Sequence, residues 1–132
     1  MENQISPLEL PRLRVTIDRL LYQRLNSEQS DKPHSFIYSI SIHNDSDVAV
    51  TLKGRKWVVT HEDDSVLVVE GDGVIGETPT LEPGTKFSYN SRHIIGTTTA
   101  TAEGAYLGID SLNRRVMVRI PKFKMEVPTL KD

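Results

Sequence analysis

Residues 70–84 read EGDGVIGETPTLEPG, and they contain a complete G-x-G-x-x-G in Gly71, Gly73 and Gly76. How this stretch is read decides the fold. In a dinucleotide-binding unit such glycines end a strand and open a helix, whose N-terminal N–H groups hold the pyrophosphate. Here Pro79 and the Pro83-Gly84 pair fall where that helix would run, removing backbone donors and forcing extended or turn geometry. The Gly-Lys-Ser/Thr ending of a Walker loop is missing as well. The glycines therefore read as a loop between strands. Two uses of such a loop stay open: successive N–H groups forming a nest for an anion, or a contact for a partner protein. Glu70, Asp72 and Glu77 put negative charge in and beside it, which opposes phosphate unless a metal intervenes.

Alternation at period two runs outward from this loop on both sides, the mark of half-buried strands. Downstream, Phe87 and Tyr89 point inward while Lys86, Ser88, Asn90 and Arg92 point outward. Upstream, SVLVVE is too rich in valine for a helix. HEDDS before it is a hairpin tip. Val50 and Leu52 begin a further strand, Gly54 bulges it, and Trp57 and Val59 continue its buried face. Phe36, Tyr38, Ile40 and Ile42 form the cleanest inward face, ended by turn chemistry at Asn44 to Asp47. Leu13, Val15, Ile17 and Leu21 are set against Arg14, Thr16 and Asp18.

Beyond the loop, Ala105, Leu107 and Ile109 alternate with Tyr106 and Asp110, and Asn113 sits in the following turn. Val116, Val118 and Ile120 lead to Pro121, which a sheet accepts only at an edge or bulge, before Phe123, Met125 and Val127 resume the pattern. Seven or eight such strands, with no amphipathic helix, predict an all-β antiparallel sandwich. Residues 1–12, with Pro7 and Pro11, are expected to form a flexible arm, and 13–130 a single domain.

The chain has 132 residues, enough for one hydrophobic core. A net charge of −2 leaves no cationic excess for a phosphate backbone, so nucleic acid is an unexpected partner. No cysteine is present, which excludes disulfides and thiolate chemistry. The start, MENQISPLELPRLRV, has neither the basic beginning nor the apolar run of a secretion signal, and no segment suits a bilayer span. A cytoplasmic protein without a membrane partner is expected.

Catalytic chemistry finds little support. His34, His43, His61 and His93 are scattered without ligand spacing, so no metal and no cofactor is expected. His61 to Asp64 reads as a solvated hairpin tip. Ser91 and His93 share a face, yet no oriented acid or oxyanion loop accompanies them. Trp57 is read as core. Lys86, Asn90 and Arg92 form either a recognition face beside the glycine loop or an ordinary solvated strand face.

The wider stretch GDGVIGETPTLEPGTKFSYNS resembles the signature of the ApaG family. Gly71, Gly73, Val74, Ile75, Gly76, Pro79, Leu81, Pro83, Gly84, Phe87, Tyr89 and Ser91 all match it. Phe36, Tyr38, Ile40, Ile42 and Asn44, then Leu52, Arg55 and Trp57, and finally Pro121, Phe123 and Pro128 extend the similarity from about Leu13 to Leu130. Ala100 and Ala102 depart from the usual glycine and methionine, and Met125 replaces a usual leucine. The resemblance implies a fibronectin type III-like or immunoglobulin-like β-sandwich. It also implies a link to cobalt and magnesium efflux, and a protein-binding module with no established catalytic residue.

The expectation is thus a non-enzymatic protein-interaction domain. Its binding loop would comprise Gly71, Asp72, Gly73, Gly76, Glu77 and Pro79, with Lys86, Asn90 and Arg92 as the adjacent face. The partner's identity and any homodimer stay open. The alternative is a small-ligand site for pyrophosphate, nucleotide or a divalent metal at the same loop.

Overall fold

Alternating apolar side chains build the two faces of the sandwich directly. The computed structural model describes residues 6–129. Its strands are β1 (Leu8–Glu9), β2 (Leu13–Arg24), β3 (His34–Asn44), β4 (Val50–His61), β5 (Val66–Asp72), β6 (Thr80–Leu81), β7 (Thr85–Ile95), β8 (Thr99–Asp110) and β9 (Arg115–Glu126). One sheet runs β1-β9-β8-β4-β5, with β6 also on β4, and the other runs β2-β3-β7. Every pairing is antiparallel except β1 with β9. The architecture is the expected sandwich, with two very short strands raising the count to nine.

The core lies between the sheets. Phe36, Tyr38, Ile40 and Ile42 from β3 meet Val50, Leu52, Trp57 and Val59 from β4 and Val116, Val118 and Ile120 from β9, all buried. Each such side chain stabilises the fold by roughly 1.5–3 kcal/mol through removal from water, before conformational entropy is counted. Tyr89 and Tyr106 bring their hydroxyls together across the sandwich. Burial, the leading cause for both, pushes both phenols well above the ordinary tyrosine range, so the pair stays neutral.

Bulges reset the alternation at three places. Lys53 is the extra residue in β4, next to Gly54, so the inward set passes from Val50 and Leu52 to Trp57 and Val59. Pro121 falls within a bulge of β9, where its missing N–H breaks no regular pair. The third bulge, at Asp18 in β2, corrects a sequence expectation. Beyond it the strand is one residue out of phase, so Leu20 and Tyr22 pack on the core and Leu21 is exposed.

Two further expectations change. In β8 the buried face carries Tyr106 and Asp110, whereas Leu107 and Ile109 face solvent. Asp110 tolerates this position because its carboxylate accepts the N–H groups of Leu112 and Arg114 and pairs with the Arg114 guanidinium at 2.7 Å. Burial opposes its ionisation, but these bonds outweigh it and hold the acid below the ordinary range. Within the expected loose arm, Leu8 and Glu9 pair in parallel with Val116 and Met117, and Leu10 is buried. Residues 1–5 of that arm, and position 130 at the expected domain end, lie outside the described residues.

The two long sides of the sandwich differ. On one, β2 lies against β9. On the other, β5 and β7 are both sheet edges, and among the described residues no strand continues either sheet past them.

Candidate functional site

The glycine loop is a tight reversal on the six-stranded sheet. Val74 and Glu77 exchange N–H···O bonds of 2.7 and 3.0 Å. The residues between them, Ile75 and Gly76, have φ of 47° and 81°, the double positive φ that a type I′ turn requires. Gly73 has φ 68°, and a Cβ there would lie 2.4 Å from the Glu77 carbonyl oxygen. Gly71 lies under the Arg55 guanidinium, 2.8 Å from where a Cβ would stand. Arg55 in turn donates to the carbonyls of Asp72 and Gly73 at 2.8 and 3.2 Å. The three glycines thus meet three separate steric demands, and Arg55 clamps the loop to β4.

Such a loop is poorly disposed toward an anion. The Gly73 N–H donates to the Lys53 carbonyl at 2.6 Å, and those of Val74 and Glu77 are taken by the turn. No helix follows; Thr80 and Leu81 form β6, and the Pro79 carbonyl just before it accepts the Leu52 N–H. Val74 is wholly buried, so the loop's apolar centre anchors it to the core. Among the described residues no group of three or more His, Asp or Glu side chains could hold a metal ion.

The exposed apolar surface lies beside the loop. Val66, Leu67, Val68 and Val69 are 57%, 44%, 51% and 38% exposed. Leu67 and Val69 pair with the inward residues Val59 and Trp57, so they project toward the sandwich interior. They stay exposed because the three-stranded sheet ends at β7 and does not reach over them. A cleft of about 350 Å³ results, lined by Trp57, Val59, Leu67 and Val69 on one sheet and by Tyr38 and residues 91–95 on the other. Arg55 and His61 complete the floor.

His93 forms part of the wall. Its ring stacks on Tyr38 at 4.9 Å between centroids and meets Trp57 edge-on at 4.6 Å. Its Nε2 is buried with no hydrogen-bond partner. Burial pushes the imidazole down to about 4, so it is neutral at physiological pH.

Of the expected adjacent face, Lys86, Asn90 and Arg92 are indeed exposed and outward. The structure does not unite them with the loop, which belongs to the opposite sheet; only Arg92 lines the cleft with Arg55. Lys86 instead lies near a polar cluster that sequence reading missed. Asp18 accepts from Ser41 at 2.5 Å and Thr16 at 2.8 Å, Thr16 contacts His43 Nε2 at 2.9 Å, and Ser41 contacts Ser88 at 2.7 Å. The Ser41 and Thr16 hydroxyls, with smaller help from His43 and Lys86, hold Asp18 below the ordinary carboxylate range. Hydroxyls stand between acid and imidazole here, the reverse of a nucleophilic relay, in which the imidazole joins the acid to the hydroxyl. Alternation placed Ser41, His43 and Ser88 outward, but only the Asp18 bulge brings the acid to them.

Fold and site together define an immunoglobulin-like β-sandwich with one open flank and a clamped glycine hairpin at its end. The ApaG domain matches residues 24–109, and this chain belongs to that family. Protein ApaG of Shewanella frigidimarina is 35% identical over 124 residues, covering 94% of this chain and 97% of that protein. A structural-genomics X-ray structure aligns with TM-score 0.81 at 28% identity, over 91% of this chain and 90% of that one. The crystal structure of a Bordetella pertussis protein described as ApaA aligns with TM-score 0.74 at 27% identity, over 94% of this chain and 100% of that one.

Proposed function

We propose that this chain is a protein-interaction domain whose contact surface is the open flank, from β5 to the free edge of β7. The observation that carries this reading is the run Val66–Val69, four exposed apolar residues in succession on a strand that pairs with β4 on one side and is a sheet edge on the other. Soluble proteins usually protect such edges with charge, proline or a covering element. The loop holds β5 in place through Arg55 and is not itself the ligand site. The small-ligand alternative gains no support from loop amides that already donate to the protein's own carbonyls.

On this reading the protein acts in the cytoplasm, and any influence on cobalt or magnesium homeostasis runs through the bound partner, without catalysis by this chain. Gly73 is unsuitable as a test position, because any side chain there strains the fold. The double variant Leu67→Glu, Val68→Glu alters both faces of β5 at exposed positions. Quantitative affinity capture from the host is expected to recover a stoichiometric partner with the wild-type chain and to lose it with the double variant. Equal recovery by both proteins would refute the assignment of the surface.

A further inference from the structure

The cleft has a direction, and it can be read from which residues line it. From β5 only alternate residues contribute, Leu67 and Val69, so β5 presents a face. From β7 five consecutive residues contribute, Ser91 to Ile95. On an alternating strand a consecutive run can border one space only when the strand's edge, with its backbone groups, is turned toward it. β7 pairs on one side alone, with β3, so alternate N–H and C=O groups of this run point toward the cleft. The cleft is therefore a trough with an apolar floor and a hydrogen-bonding wall.

Charge is equally one-sided. The arginines bordering the trough are Arg55 and Arg92, and among the described residues no aspartate or glutamate borders it. The acidic side chain nearest along β5, Glu70, pairs with Lys56 at 3.6 Å. Glu70 alternates with Val69, and so faces away from the floor.

We propose that this trough is a strand-addition site. An extended segment of a partner protein, with apolar side chains at alternate positions and a carboxylate toward Arg55 or Arg92, pairs with the β7 edge and covers Leu67 and Val69. The added strand becomes the fourth of the smaller sheet and sits opposite β5, supplying the layer that the chain itself lacks. Main-chain pairing provides affinity, while the floor and the arginines select the sequence. A second copy of the chain is the competing occupant, because one face of its β5 carries Val66, Val68, Glu70 and Asp72. Glu70 is already paired with Lys56, which favours a separate partner. A concentration-dependent dimer with amide shifts at residues 91–95 and in β5 overturns that choice.

This inference rests on the interaction-domain reading and specifies its partner. It is tested by panning a heptapeptide display library against the full chain, then titrating enriched peptides into the labelled protein and following amide NMR shifts. Enriched peptides are expected to alternate apolar residues and to include Asp or Glu, with shifts concentrated at residues 91–95 and at Leu67 and Val69. Leu67→Glu and Val69→Glu, each checked for a native spectrum, are expected to weaken binding at least tenfold. Val68→Glu, on the opposite face of the same strand, is expected to change it less than twofold. Peptides that lack a carboxylate, or that map to the glycine loop or the outer face of β5, overturn the strand-addition site and leave the interaction reading standing. A library from which nothing binds removes both.

Discussion

His93 shows what a single residue can report about this fold. Its imidazole ionises at about 4 in the folded chain because burial penalises the charged form, against an ordinary value of 6.5. A depressed histidine is stabilising while neutral in both states, so its contribution is complete above pH 6.5 and is lost as pH falls toward 4, where only the unfolded chain takes up the proton. The loss is on the order of 2–3 kcal/mol across that window. His34 is also lowered, by burial first and then by Arg24, and adds a slope of the same sign. Urea unfolding at pH 7 and at pH 4.5 is expected to show the wild type losing about 2 kcal/mol more than His93→Phe. An equal loss would mean that His93 is hydrated in the folded chain. The sequence set His93 on the same face as Ser91, but its burial depends on Trp57, which approaches from the other sheet. No local pattern carries that information.

At the scale of elements, periodicity was legible wherever strands are regular. The inward faces of β3, β7 and the two halves of β9 follow from alternation alone, and Gly54 and Pro121 marked two of the three bulges by their own backbone chemistry. The bulge at Asp18 has no such marker, since aspartate is stereochemically ordinary in a strand, and the phase error at Leu21 follows from it. The difference can be measured. Leu20→Ala is expected to destabilise by roughly 1–2 kcal/mol, as befits a partly buried leucine, and Leu21→Ala to stay within about 0.5 kcal/mol. The reverse order in denaturant titrations would show that β2 keeps its alternation unbroken. In β8 the error has another source: Leu107 and Ile109 are more apolar than Asp110, yet Asp110 is buried because the turn it caps supplies its partners. Hydrophobicity ranks residues singly, whereas a satisfied carboxylate is a property of five neighbouring positions.

For the whole molecule, unequal sheet width is the governing fact, since it sets where the fold opens and where the proposed contact surface lies. A sheet edge shielded by the opposite layer opens only with the global transition, whereas an uncovered edge opens locally at lower free energy. The central strands β3 and β8 are paired on both sides, and β5 is paired only with β4 while its inward residues lack a covering layer. The glycine motif was legible as a loop because two prolines forbid the helix, but the trough was not, since it arises from where the smaller sheet ends, and strand order is not written in any one strand. Native-state amide exchange reads this asymmetry directly. Protected amides of β5 are expected to exchange at least a hundredfold faster than those of β3 and β8, which corresponds to about 2.7 kcal/mol between local and global opening. An acidic, apolar-alternating peptide bound in the trough is expected to slow exchange at the β7 edge as well as in β5, because the added strand pairs with one and covers the other. Protection of β5 equal to that of β8 in the free protein would mean that the flank is already closed, and the surface assigned to a partner would then be interior.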